Sequence, residues 1–121
     1  MEIYERLDIL KMAGQISENT YEQVLRIIDY FNEEHLLQIN EENGAMFITH
    51  LCIALRRMEQ KEAIAGMEEE IYQEIRENSY YSRSKETLTH MEQLLGSTIP
   101  PEEKGYLMMH LCVLFEKTSA N

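Results

Sequence analysis

Residues 105–115 read GYLMMHLCVLF, the most apolar run in the chain, and a histidine, His110, stands at its centre. Sixty residues earlier, residues 45–55 read AMFITHLCIAL, with His50 in the same place. Neither run approaches the ~18 uncharged apolar residues that a membrane-spanning helix needs. Both therefore read as buried helices of a globular domain. On a helix, residues three and four apart share a face. His50 then sits with Met46, Phe47, Ile53 and Ala54, and His110 with Tyr106, Leu107, Val113 and Leu114. Seven residues beyond each histidine, on the same side, is a base: Arg57 and Lys117. A single histidine on such a stripe is explained as a boundary residue whose ring nitrogens find hydrogen bonds. Two at matched points ask for more, because burying a titratable ring costs free energy and packing alone prefers leucine.

The echo extends beyond these runs. ISENTY (16–21) matches IRENSY (75–80), EENG (41–44) resembles EEKG (102–105), and HLCI (50–53) matches HLCV (110–113), always in the same order and at offsets of 59 to 61. Repetition at one offset implies two similar helix-loop-helix halves packed about a pseudo-two-fold axis, with the histidine helices as neighbours. Apolar residues recur at three- and four-residue spacing throughout, and strand-type alternation is absent. The spacing predicts a short helix over 2–12 and a second from SENTYEQV to about Leu37. Ser17, Asn19 or Thr20 can cap the second, and Asn19 with Glu22 has capping-box spacing. INEENG opens a third helix that runs to about Gln60. An acidic helix spans Met67 to about Arg76, with Glu68-Glu69-Glu70 as its first turn. Another covers Ser79–Leu95 and stops at Gly96, and PPEEKG opens the last, which frays after Lys117. The expected organisation is a short helical extension over residues 1–14 and one domain over 15–118.

Charge and composition narrow the function. The chain has 22 acidic against 11 basic residues, a net charge of −11, and no basic stripe offsets it locally. Nucleic-acid affinity comes chiefly from cations neutralising phosphates, so direct nucleic-acid binding is disfavoured, as is an anionic membrane surface. With 44% apolar and 27% charged residues, the chain has the profile of an ordinary globular protein. Its start, MEIYERLDIL, lacks a signal-peptide pattern, and the expected location is cytoplasmic. Cys52 and Cys112 are the only cysteines, without a C-x-x-C, and read as inert core residues.

Metal and hydrolytic chemistry find no motif. Di-iron bundles need Glu-x-x-His pairs, yet the residues three before His35, His50, His90 and His110 are Asn32, Phe47, Thr87 and Leu107. His-Glu-x-x-His, zinc-finger spacing, Gly-x-Ser-x-Gly and the phosphate-cradling glycine loops are all absent. The expectation is a protein without metal or cofactor and without enzymatic activity. His35 and His90 have no echo in the other half and read as surface or boundary residues. His35 falls near a helix C-terminus, where a cation is stabilised.

FITHLCIALRR and IPPEEKGYLMMHLCVLF together resemble the two signature segments of the PTS regulation domain, abbreviated PRD. His50 and Arg57 match the first segment. Ile99, Pro100, Glu103, Gly105, Tyr106, Leu107 and His110 match the second, and the likeness covers about residues 16–117. Thr49 stands where many relatives carry an acidic residue, and Lys117 where an arginine would repeat the first half. The resemblance implies an all-α bundle of five helices in two antiparallel pairs, to which the 2–12 helix is an addition. It also implies that His50 and His110 are phosphorylation sites, with Arg57 and Lys117 as supporting bases. The donor would be a phosphocarrier or a sugar-specific enzyme II component of the phosphotransferase system. Phosphorylation in the family governs dimerisation and, through it, transcription of carbohydrate operons. Here no nucleic-acid-binding module accompanies the domain, so the leading expectation is a stand-alone receiver that forms a homodimer. A scaffold that keeps the fold without phosphorylation and a histidine phosphocarrier are the alternatives.

Overall fold

Residues 1–119 are described by a computed structural model. They form six helices, α1 (Ile3–Met12), α2 (Glu18–Glu34), α3 (Glu41–Glu59), α4 (Glu69–Arg76), α5 (Tyr81–Leu95) and α6 (Pro101–Ser119), and no strand occurs among them. The all-α class and the order of elements agree with the sequence reading. Local chemistry sets the boundaries. The Ser17 hydroxyl accepts from the Thr20 backbone N–H and caps α2, so the Asn19/Glu22 spacing lies inside the helix rather than forming a box. The box forms instead at α3, where Asn40 and Asn43 each accept the other's backbone N–H at 2.9 Å. Gly96, at φ 71°, ends α5 in the left-handed conformation that costs glycine little, and Pro101 is the first residue of α6.

Four boundaries differ from the spacing-based reading, the first being the start of α4, which lies at Glu69 rather than Met67, with Glu68 as its N-cap. Helix α2 stops at Glu34 rather than near Leu37. The reason is Leu36, which takes φ 50° and points outward so that Leu37 and Ile39 can turn into the core. Helix α5 begins at Tyr81 rather than Ser79, because Asn78 accepts the Tyr80 backbone N–H and holds the preceding turn. Helix α6 runs through Ser119 instead of fraying after Lys117, and the Thr118 hydroxyl donates back to the Leu114 carbonyl.

The helices pack as the internal echo implies. α2 lies on α3, α5 on α6, and the two halves join most extensively through α3 and α6, with α2 also against α5. Helix α1 packs on α2 through buried Ile3 and Leu7, and α4 packs on α6. Burial repeats residue for residue. Phe47, Ile48, Leu51, Cys52, Ala54 and Leu55 are buried on α3, and sixty positions later so are Leu107, Met108, Leu111, Cys112, Leu114 and Phe115. Each large side chain of this kind contributes about 1.5–3 kcal/mol through removal from water. Phe31, Phe47 and Phe115 meet at the centre, with ring centroids 5.6 and 6.1 Å from Phe31. Gly44 makes the close approach possible, since a Cβ there would lie 2.5 Å from Ile39 Cγ2. Burial holds the Cys52 thiol at about 11 and raises that of Cys112, so both free cysteines behave as small hydrophobes, in line with the sequence reading.

Candidate functional site

Helices α3 and α6 run antiparallel. Moving along α3 from Gly44 through His50 to Arg57, the partners on α6 descend from Leu114 through His110 to Glu103. The equivalence of sixty residues turns this pair onto itself, exchanging His50 with His110, Arg57 with Lys117, and Glu103 with Asn43. The pseudo-two-fold therefore passes between the two histidines. Their rings lie against each other with centroids 4.8 Å apart at 39°, and Tyr106 sits 5.8 Å from His50.

The two imidazoles are both half-buried and differ at one nitrogen. His50 Nε2 is sealed in the interface, the only buried side-chain nitrogen or oxygen among the described residues without a hydrogen-bond partner. Neither nitrogen of His110 is sealed in this way, and neither bonds to any described residue. Burial lowers the pKa of each ring from the ordinary 6.5. The nearby Arg57 charge lowers His50 further, and His50 itself lowers His110. Two imidazolium ions at this separation would repel, so the pair rests neutral at physiological pH, with a lone pair on each ring available to attack an electrophile.

The bases are treated differently in the two halves. Arg57 donates through Nε and Nη2 to the two carboxylate oxygens of Glu103, at 2.9 and 3.0 Å. Glu103 is 2% exposed, and the forked pairing satisfies both of its buried carboxylate oxygens. At the symmetry-related place, Lys117 shares a groove with Asn43, which offers no charge, and Lys117 forms no ion pair among the described residues. That groove, of about 410 Å³, leads from His110 past Val113 to exposed Lys117, with Glu41, Glu42, Asn43 and Met46 on its other wall. Of the four residues singled out in the sequence, the structure brings His50 and His110 into contact, and Arg57, two turns along α3, is near enough for its charge to act on His50. Lys117 stands the same two turns, about 10 Å of helix rise, from His110 along α6 but points its charge elsewhere, since the His110 shift comes from burial and His50 alone.

A second polar cluster went unread in the sequence. Arg83 Nη2 donates to His35 Nδ1 at 3.1 Å, and a guanidinium can only donate, so His35 is neutral with its proton on Nε2. Nε2–H then donates to the Tyr30 hydroxyl at 3.1 Å, and Tyr30 donates to His90 Nδ1 at 2.9 Å. His35 caps the end of α2, but burial and the Arg83 charge lower its pKa. The expectation of a helix-end cation there is therefore corrected: burial together with a guanidinium packed against the ring outweighs the helix dipole. Among the described residues no group of three or more His, Cys, Asp or Glu side chains is arranged to hold a metal ion, and no helix is long and apolar enough to cross a membrane.

The geometry defines a class: an all-α domain of two like halves joined across a pair of facing histidines. Residues 25–112 match the family model described as PRD domain, and the chain belongs to that family, regulatory-type domains of the sugar phosphotransferase system. Helix α1 lies outside the matched segment. The chain is also similar to a protein of Escherichia coli (strain K12) described as uncharacterized protein YhfY, at 26% identity over 106 residues that cover 88% of each chain. No solved structure gives a significant match.

Proposed function

We propose that the domain receives a phosphoryl group on histidine from a component of the phosphotransferase system, and that this state controls its protein contacts and, through them, carbohydrate-operon transcription. The observation that carries the reading is the facing His50–His110 pair, half-buried and neutral, with a base two turns further along each helix, in a chain of this family. In the transfer, a ring nitrogen lone pair attacks phosphorus, the bond from phosphorus to the donor nitrogen breaks, and the donor imidazole leaves with the electron pair and takes up a proton. The chain acts as acceptor and regulator in the cytoplasm, with no catalytic activity or nucleic-acid contact of its own.

His110 is the first acceptor in this account. Neither of its nitrogens is sealed in the interface, and Lys117 forms no ion pair among the described residues. Phosphorylation adds about −1.5 to −2 charges, so a second group on His50 meets the first across one ring-to-ring contact. His50 also needs Arg57, which has to abandon Glu103. One phosphoryl group per domain is the expected stoichiometry.

The face that carries the histidines also exposes Met46, Ile53 and Val113, a surface suited to a protein partner, for which a second copy of the chain is our first choice. These residues also fit the alternative of a scaffold that binds without modification. Replacing both histidines by alanine separates the readings: a receiver loses its response to the donor, whereas a scaffold keeps its partner affinity. The primary test incubates the protein with a phosphorylated carrier and maps acid-labile phosphate by mass spectrometry. Phosphate on His110 supports the proposal, and none on either histidine overturns it.

A further inference from the structure

Beyond the histidine pair, a cleft of about 690 Å³ opens where the end of α2, the start of α3, and helices α5 and α6 converge. Its size is that of small-ligand sites. Arg83 and Lys117 both line it, with His35 between α2 and α5, and Gln38 and Asn40 on the connection to α3. In a chain with twice as many acidic as basic residues, this convergence of cations is against the trend. Neither Arg83 nor Lys117 forms an ion pair among the described residues. The one carboxylate on the lining is that of Glu42, which is exposed to solvent.

Arg83 is held in place rather than free to wander. Its guanidinium lies 4.0 Å from the centre of the Phe115 ring, and one N–H is committed to His35 Nδ1. The Tyr30 and His90 relay behind His35 keeps that acceptor in the required tautomer. The remaining guanidinium donors have no partner among the described residues. A planar fork fixed at the wall of a polar cleft, with an ammonium on the same lining, matches a tetrahedral oxyanion. The Asn40 side-chain amide N–H groups and the Gln38 amide add donors suited to hydroxyls or to further phosphate oxygens.

We propose that this cleft binds a phosphate group, either free or as the monoester of a small polyol, through Arg83 and Lys117. The site needs no modified histidine, so it stands or falls separately from the phosphorylation reading. The test titrates unphosphorylated protein with inorganic phosphate, with glycerol 3-phosphate and with glycerol, following the His35 ring signals by nuclear magnetic resonance. The same titrations use a His50→Ala/His110→Ala variant, for which unchanged affinity is expected. Saturable shifts with the two phosphates and none with glycerol are expected. Tighter binding of glycerol 3-phosphate assigns the ester, and equal binding assigns free phosphate. Arg83→Gln should weaken binding at least about tenfold, a loss in keeping with a charge-assisted fork. Lys117→Gln, at an exposed position that leaves the fold intact, should weaken it about threefold or more. Absence of saturation in the native protein, or full affinity in Lys117→Gln together with Arg83→Gln, overturns the proposal.

Discussion

The surroundings of His50 and of His110 are related by the internal two-fold, yet only one of them is locked. Around His50, Arg57 is clamped by buried Glu103, and Nε2 is sealed between the helices. Around His110, Asn43 replaces the carboxylate, Lys117 forms no ion pair among the described residues, and neither ring nitrogen is sealed. A repeat that kept the histidines and changed one clamp residue has divided the labour between its halves. The first half contributes rigidity to the α3/α6 interface, while the second keeps an unsealed ring and a cation without an ion pair among the described residues.

The comparison is easiest to break by removing the bases. Arg57→Ala leaves the Glu103 carboxylate buried and alone, which should cost about 2–4 kcal/mol of unfolding free energy in denaturant titrations. Lys117→Ala should stay within about 0.5 kcal/mol of the parent, as expected of an exposed side chain without a partner. Equal losses for the two variants would remove the asymmetry between the halves.

The paired glycines give a smaller contrast. A Cβ at Gly44 would meet the stiff, buried Ile39 side chain at 2.5 Å, whereas one at Gly105 would meet Met67 and Tyr72 at 3.3 Å. Gly44→Ala should destabilise by about 1–3 kcal/mol through overpacking. Gly105→Ala should come out near neutral, because the flexible Met67 yields and alanine favours helix. Thermal melts of both variants check the order.

The smallest effect is in pH. Both imidazoles of the pair are held below the ordinary 6.5, so the unfolded chain binds protons at a pH where the folded protein does not. Stability should therefore be complete above about pH 6.5 and decline as the pH falls below it. Replacing His110 by Asn should flatten that decline, and denaturation midpoints measured from pH 7.5 to 5.5 would show it. A stability that rises on acidification would mean that the pair is charged in the folded state.

Much of this fold is written in local chemistry. Ser17, Gly96 and Pro101 mark helix ends by short-range rules, and the sixty-residue echo by itself places His50 and His110 at matched points of two halves. Arg57 and Lys117 are visible because seven residues return a helix to the same side. Glu103 enters only through the family resemblance, since its pairing with Arg57 spans 46 residues and needs the antiparallel crossing of α3 and α6. The same crossing sets Lys117 beside Asn43. His35 looks like a surface residue in sequence, because its partner Arg83 is 48 positions away on a helix that α2 meets only after folding. Leu36 gives no warning of its positive φ, as the demand comes from Leu37 and Ile39, which must both reach the core.

The central claim is that the histidine pair accepts phosphate, with His110 first. The most direct measurement is a time course with a phosphorylated phosphotransferase-system carrier, reading intact mass and phosphohistidine position in the parent and in the His50→Ala and His110→Ala variants. The account predicts one acid-labile phosphate per chain, on His110, with incorporation kept in His50→Ala and reduced at least about tenfold in His110→Ala, a barrier change of ~1.4 kcal/mol or more. Phosphate that appears first on His50, or on neither residue, would contradict it.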